Sequence, residues 1–224
     1  MSSNNFLEIA LGKISKKYSY PLISGLDIIV GTQKLGFAVI FDANNLSVYP
    51  KGNTIYLEYD NSKITWIRSD KNREKSWKNQ DFLEAFFMDF EVLKSRKFPK
   101  FSVEFMEENS KFLDNFKQIP RIQAESVELG VNSEVEIIGI LKFLDSEVLK
   151  SIEIKSPGDS NERILIDDVA NLEQWKKAEN LKMVDIDVMA GIRKFENFRN
   201  AEIGFVGFPM DSIDELKEVS SFFF

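Results

Sequence analysis

The chain has 224 residues, of which 29 are Lys or Arg and 36 are Asp or Glu, for a formal net charge of −7; it contains no cysteine and no histidine. The acidic balance repels polyanions, which excludes nucleic acid as a direct partner and favours another protein with a basic surface. Without Cys there is no disulfide, thiolate metal site or thiol nucleophile, and without His the commonest metal ligand and neutral-pH general base are missing, so the expectation is no enzyme, no metal and no cofactor.

Residues 1–6 carry no basic leader, and no apolar run approaches a membrane span, so a cytoplasmic or nuclear protein without membrane contact is expected. Apolar residues at Phe6, Leu7, Ala10, Leu11 and Ile14 predict a short helix over 4–16, which Pro21 and Gly25 end. Between Leu26 and Arg68, short runs of β-forming residues alternate with turn residues. Five strands are expected, over 27–30, 35–41, 46–49, 54–59 and 63–68, as an antiparallel meander. A polar loop over 69–80 follows.

Asp81 is a predicted cap for a helix over 82–97, whose end carries Lys94, Arg96 and Lys97, where the helix dipole favours cations. Two regions are thus expected, residues 1–80 with the meander and residues 81–224 with strand–helix repeats, packed as one continuous unit. In the second region one pattern recurs at Ser102–Phe105, Ser126–Leu129, Ser151–Ile154, Met183–Ile186 and Asn200–Ile203, a carboxylate between two apolar residues each time. Predicted helices over 110–119, 133–144 and 167–179 lie between them, the first two opened by serine caps. A unit of about 24 residues falls within the period range of leucine-rich repeats, and strands separated by crossovers pair in parallel. The fold class expected is α/β: leucine-rich-repeat-like units with a parallel sheet, preceded by the antiparallel meander.

Strand alternation makes Val103 and Phe105 face the helices and turns Ser102 and Glu104 the other way. Applied to each repeat, it places Glu104, Glu128, Glu153, Asp185 and Glu202 in one acidic file, with Ser102, Ser126 and Ser151 on the same side. Neighbouring strands lie about 4.8 Å apart, so the acids repel unless screened, and Lys150, Lys155 and Lys182 are available for that. Two readings fit the file, a solvated polar face and a recognition surface for a basic segment. Neither makes the residues catalytic. Gly204 to Gly207 lacks the spacing of a phosphate or dinucleotide loop.

The helix Asn171–Ala178 resembles the signature helix of the FTH family, a domain of unknown function that follows the F-box in many nematode proteins. Asp81–Asp89, Lys111–Asp114, Ile137–Leu141, Phe195–Phe198 and Asp214–Lys217 resemble further stretches of that family in the same order. The resemblance implies a protein-interaction module, with target recognition related to F-box ubiquitin-ligase receptors. The alternative is a non-ligase adaptor or decoy that holds a regulatory protein, for example an RNA-regulatory factor, and an enzyme of unrecognised type is the remote third. No F-box is recognised in the chain, so docking on a Skp1-type adaptor requires an F-box outside it. Trp175 shares a helix face with Leu172 and Ala178, which favours a packed core residue, and Phe222–Phe224 is expected to cover the open end of the repeats.

Overall fold

A computed structural model describes residues 23–31, 34–41, 54–60, 81–93, 96–107, 110–119, 121–157 and 163–203. The expected helix over 4–16, the strands over 46–49 and 63–68, the loop over 69–80 and the residues from 204 onward lie outside the described residues.

The alternation of apolar residues sets the strands. β1 (Ile23–Val30), β2 (Lys34–Phe41) and β3 (Thr54–Asp60) form the amino-terminal part. Further on come β4 (Lys97–Phe105), β5 (Gln123–Gly130), β6 (Ser151–Lys155), β7 (Arg163–Leu165), β8 (Asn180–Val184), β9 (Asp187–Met189) and β10 (Asn200–Ile203). Eight of them join one sheet in the order β10-β8-β6-β5-β4-β1-β2-β3, and β7 pairs with β9 separately. β1, β2 and β3 are antiparallel neighbours. From β1 through β4, β5, β6 and β8 to β10 every pairing is parallel. The protein is therefore a mixed α/β structure with a mostly parallel sheet, and the hydrogen bonding of β1 to β4 makes the meander continuous with it.

One face of this sheet is closed by α1 (Phe82–Phe90), α2 (Ser110–Phe116) and α3 (Glu134–Leu141). Phe101, Val103 and Phe105 of β4, Val127 and Leu129 of β5, and Ile152 and Ile154 of β6 all point into the layer between them and are buried. Phenylalanine rings fill that layer. Phe86 meets Phe37 edge-on at 5.4 Å between centroids, and Phe116 lies 5.5 Å from Phe112 and 6.4 Å from Phe101 in stacked geometry. At Gly139 a Cβ would stand 2.7 Å from Leu113 Cδ2, so α3 and α2 pack closely enough that a larger residue would have to displace the Leu113 side chain.

The helices are shorter than their apolar spacing suggests. Asp81 caps α1 as expected, accepting from the Leu83 and Glu84 amides, but the helix passes into a 3-10 turn at Glu91–Leu93 and ends. Pro99 restrains the preceding Phe98 to extended backbone, and β4 begins at Lys97, inside the span expected to be helical. Lys97 is consequently not a helix-terminal cation; it ion-pairs with Glu125 at 2.6 Å. Ser133 stands at the N-cap of α3 without a capping hydrogen bond from its side chain. Glu136 acts instead, its Oε2 accepting from the Asn132 amide at 2.7 Å while Asn132 Nδ2 donates to the Phe105 carbonyl.

The expected helix over 167–179 is divided into a 3-10 turn, Val169–Asn171, and a single α-turn, α4 (Glu173–Lys177), because Leu172 is extended. Glu134 Oε1 accepts from the Asp168 and Val169 amides and anchors the first piece. The break directs Gln174 Nε2 to the Leu144 carbonyl and Trp175 Nε1 to the Lys194 carbonyl, both at 2.8 Å. Trp175 is fully buried, 5.9 Å from Phe195 and 5.0 Å from Phe198. The expectation of a packed tryptophan holds.

Trp175→Ala should destabilise the fold by about 3–5 kcal/mol, and Trp175→Phe, which keeps a ring but orphans the Lys194 carbonyl, by about 1–3 kcal/mol. Urea unfolding followed by circular dichroism checks the order; equal losses would mean that the ring retained in Trp175→Phe contributes nothing and that the shared loss of the indole hydrogen bond accounts for the whole effect.

Candidate interaction face

Since the Val103 side of the sheet is buried, the alternate residues emerge on the opposite face, and the ladder register arranges them in rows. The first row runs Gly25, Lys100, Ser126, Ser151, Asn180, Asn200. The second runs Asp27, Ser102, Glu128, Glu153, Lys182, Glu202, and the third Ile29, Glu104, Gly130, Lys155, Val184.

The acids of the predicted file are therefore only partly brought together. Glu128 and Glu153 are direct neighbours and Glu202 shares their row. Glu104 shares the face but stands one row on, opposite Gly130, because β4 and β5 pair Ser102 with Glu128. A register offset of two residues preserves the face and changes the row. Asp185 does not belong to the file. It follows β8 with φ 56°, a left-handed turn that Asp tolerates and that starts the chain toward β9. Lys182 occupies the position across from Glu153. Ser126 and Ser151 are neighbours in the first row, and Ser102 lies between Asp27 and Glu128 in the second.

Lysines interrupt the acids throughout. Lys155 Nζ lies 2.7 Å from Glu128 and 3.8 Å from Glu104, reaching across Gly130. A Cβ at Gly130 would come within 2.7 Å of Glu104 Cγ, so the missing side chain is what lets Glu104 lie over β5. Lys100 ion-pairs with the other side of Glu128. Lys182 reaches Glu202 at 3.6 Å, and below the first row Lys150 approaches Glu125 at 3.9 Å and Arg199 pairs with Glu179 at 3.4 Å. The two asparagines continue the serine positions as a ladder, with Asn180 Nδ2 donating to Ser151 Oγ at 3.2 Å and Asn200 Nδ2 to Asn180 Oδ1 at 2.8 Å. A shallow depression of about 510 Å³ opens over this part of the face, between Ser126 and Arg199.

The ion pairs shift the ionisation of their members. Burial alone would raise the Glu128 carboxyl, but the ammonium groups of Lys100 and Lys155 outweigh it and hold it below the ordinary carboxylate value. Its bond to Glu128 raises the Lys155 ammonium in turn. Asp27 goes the other way, pushed up by burial despite the nearby Lys100.

Sequence reasoning did not find Lys100, Asp27, Asn180 or Asn200. For the asparagines a signal existed, since each opens its strand in the position that Ser151 takes in β6. Among the described residues no group of acids is arranged to hold a metal ion, and no helix is long and apolar enough to cross a membrane.

The FTH domain family model matches residues 103–221, more than half of the chain. The chain belongs to the FTH family. Comparison with curated proteins and with solved structures gives no match. Two of the stretches that carry the FTH resemblance lock onto each other. Trp175 of Asn171–Ala178 is enclosed by Phe195 and Phe198, and Asn197 Nδ2 donates to the Trp175 carbonyl at 2.7 Å. These FTH positions are packing residues of the buried side. The open face is built by other side chains.

Because the folded-state carboxyl of Glu128 is depressed, the stability it contributes is present above its unfolded value and is lost as pH falls through the folded one. Lys155→Met should therefore cost about 1 kcal/mol at neutral pH, and the gap from the parent should close as pH falls below 4.5. Urea titrations at both ends of that range test it, and a pH-independent gap would assign the loss to packing.

Proposed function

We propose that this FTH protein is a non-catalytic protein-interaction module that receives a segment of another protein across the open face of its sheet. We further propose that it acts in target recognition, as in F-box ubiquitin-ligase receptors. The observation that carries the reading is the asymmetry of the sheet. One side is sealed by aromatic packing, while the other presents rows of polar and charged side chains with no described helix against it. The succession β4, β5, β6, β8, β10 supports a leucine-rich-repeat-like reading, in which such a surface is the usual contact area. The absence of His and Cys from the sequence supports a role without catalysis. A cytoplasmic or nuclear setting and a protein partner with basic character belong to the same proposal.

Affinity capture from native extract tests it when the parent chain is compared with a Ser151→Arg variant, which fills the depression from the middle of the first row. Partners that use the face should drop about tenfold or more in the variant while its thermal unfolding stays near the parent's. Recovery of the same proteins at the same yield from both would reject the open face as the docking site. Co-recovery of a Skp1-type adaptor with the native gene product would carry the ligase role, and its absence would favour the adaptor or decoy.

A further inference from the structure

Charge on the open face is almost entirely spent within the protein. Glu104 and Glu128 share Lys155, Glu128 also holds Lys100, and Glu202 holds Lys182. Asp27 is half-buried in the field of Lys100 and Lys155. The Glu153 side chain makes no ion pair and no hydrogen bond with any described residue, although it stands between Glu128 and Lys182 and its charge acts on the Lys155 ammonium. It also borders the depression, where Ser126, Ser151, Asn180 and Asn200 form an uncharged strip alongside it.

We propose that Glu153 receives a single Lys or Arg side chain from an extended, otherwise uncharged peptide segment of a partner protein, whose neighbouring residues lie on the Ser151–Asn180–Asn200 strip. The inference rests on the open-face reading above and narrows it. A polybasic segment gains little here, because further cations would have to displace Lys155 or Lys182 from bonds already made. A neutral segment leaves a carboxylate covered and unpaired, which binding penalises strongly. A segment with one cation satisfies the carboxylate, and the hydroxyl and amide groups of the strip suit the backbone of an extended chain. One ion pair also implies a shallow dependence of affinity on salt.

Selection from a random linear-peptide phage library on the intact chain, followed by titration of synthesised winners, tests the proposal. Enriched peptides should carry one Lys or Arg at a fixed position. Their affinity should fall about 10- to 100-fold on Glu153→Gln and less than about threefold on Glu104→Gln, which removes equal charge from the same face. Winners that bind Glu153→Gln as well as the parent, yet are lost on Ser151→Arg, overturn the role of Glu153 and leave the open face standing. Winners indifferent to both variants, or no enrichment, overturn the two readings together. Thermal unfolding of each variant confirms that the comparison is made on folded protein.

Discussion

Burial on one side only governs this molecule. From Phe101 to Met183 alternate strand residues enter a layer of phenylalanine rings and aliphatic side chains, and the helices close that layer from above. Each buried Phe or Leu removes apolar area worth about 1.5–3 kcal/mol, far more than any polar contact on the opposite side. The strands cannot slip by one residue without exposing the whole set, so the identity of the open face is fixed by what lies beneath it.

The polar rows follow as a consequence. Six strands paired in parallel bring side chains within about 5 Å of one another, a distance at which unscreened like charges are unfavourable. Lys100, Lys155 and Lys182 relieve this by standing between acids, and Gly130 opens the passage that Lys155 uses to reach two of them. Such partly exposed pairs contribute little to stability. Their effect is to fix side-chain positions and to leave Glu153, half-buried and within the field of Lys155, as an acid of the second row without an ion pair to any described residue.

The residues that carry the resemblance and those of the candidate face lie on different sides of the sheet, although the family match spans both. The stretches that resemble the FTH family, Asn171–Ala178 and Phe195–Phe198 above all, form the clasp around Trp175. A clasp of this kind defines how the last strands pack, and the same packing is compatible with many different sets of outward residues. The surface that would distinguish one partner from another is built from residues such as Lys182, Asn180 and Asn200, which the resemblance does not involve.

The α/β class, the antiparallel start, the parallel strands and the burial of Trp175 are legible in the residues, because apolar periodicity and turn chemistry are local properties. So is the face on which Glu104, Glu128, Glu153 and Glu202 emerge, since parity within a strand needs no partner. Row membership is not local. Ser102 aligned with Glu128 rather than Ser126, and Lys182 rather than Asp185 opposite Glu153, are decided by how far each strand slides before its apolar residues meet the helices. The break at Leu172 belongs to the same category, because Glu134 anchors the Asp168 and Val169 amides through a contact made only once the chain has folded. Local chemistry determined which residues face outward; long-range packing decided which of them are neighbours.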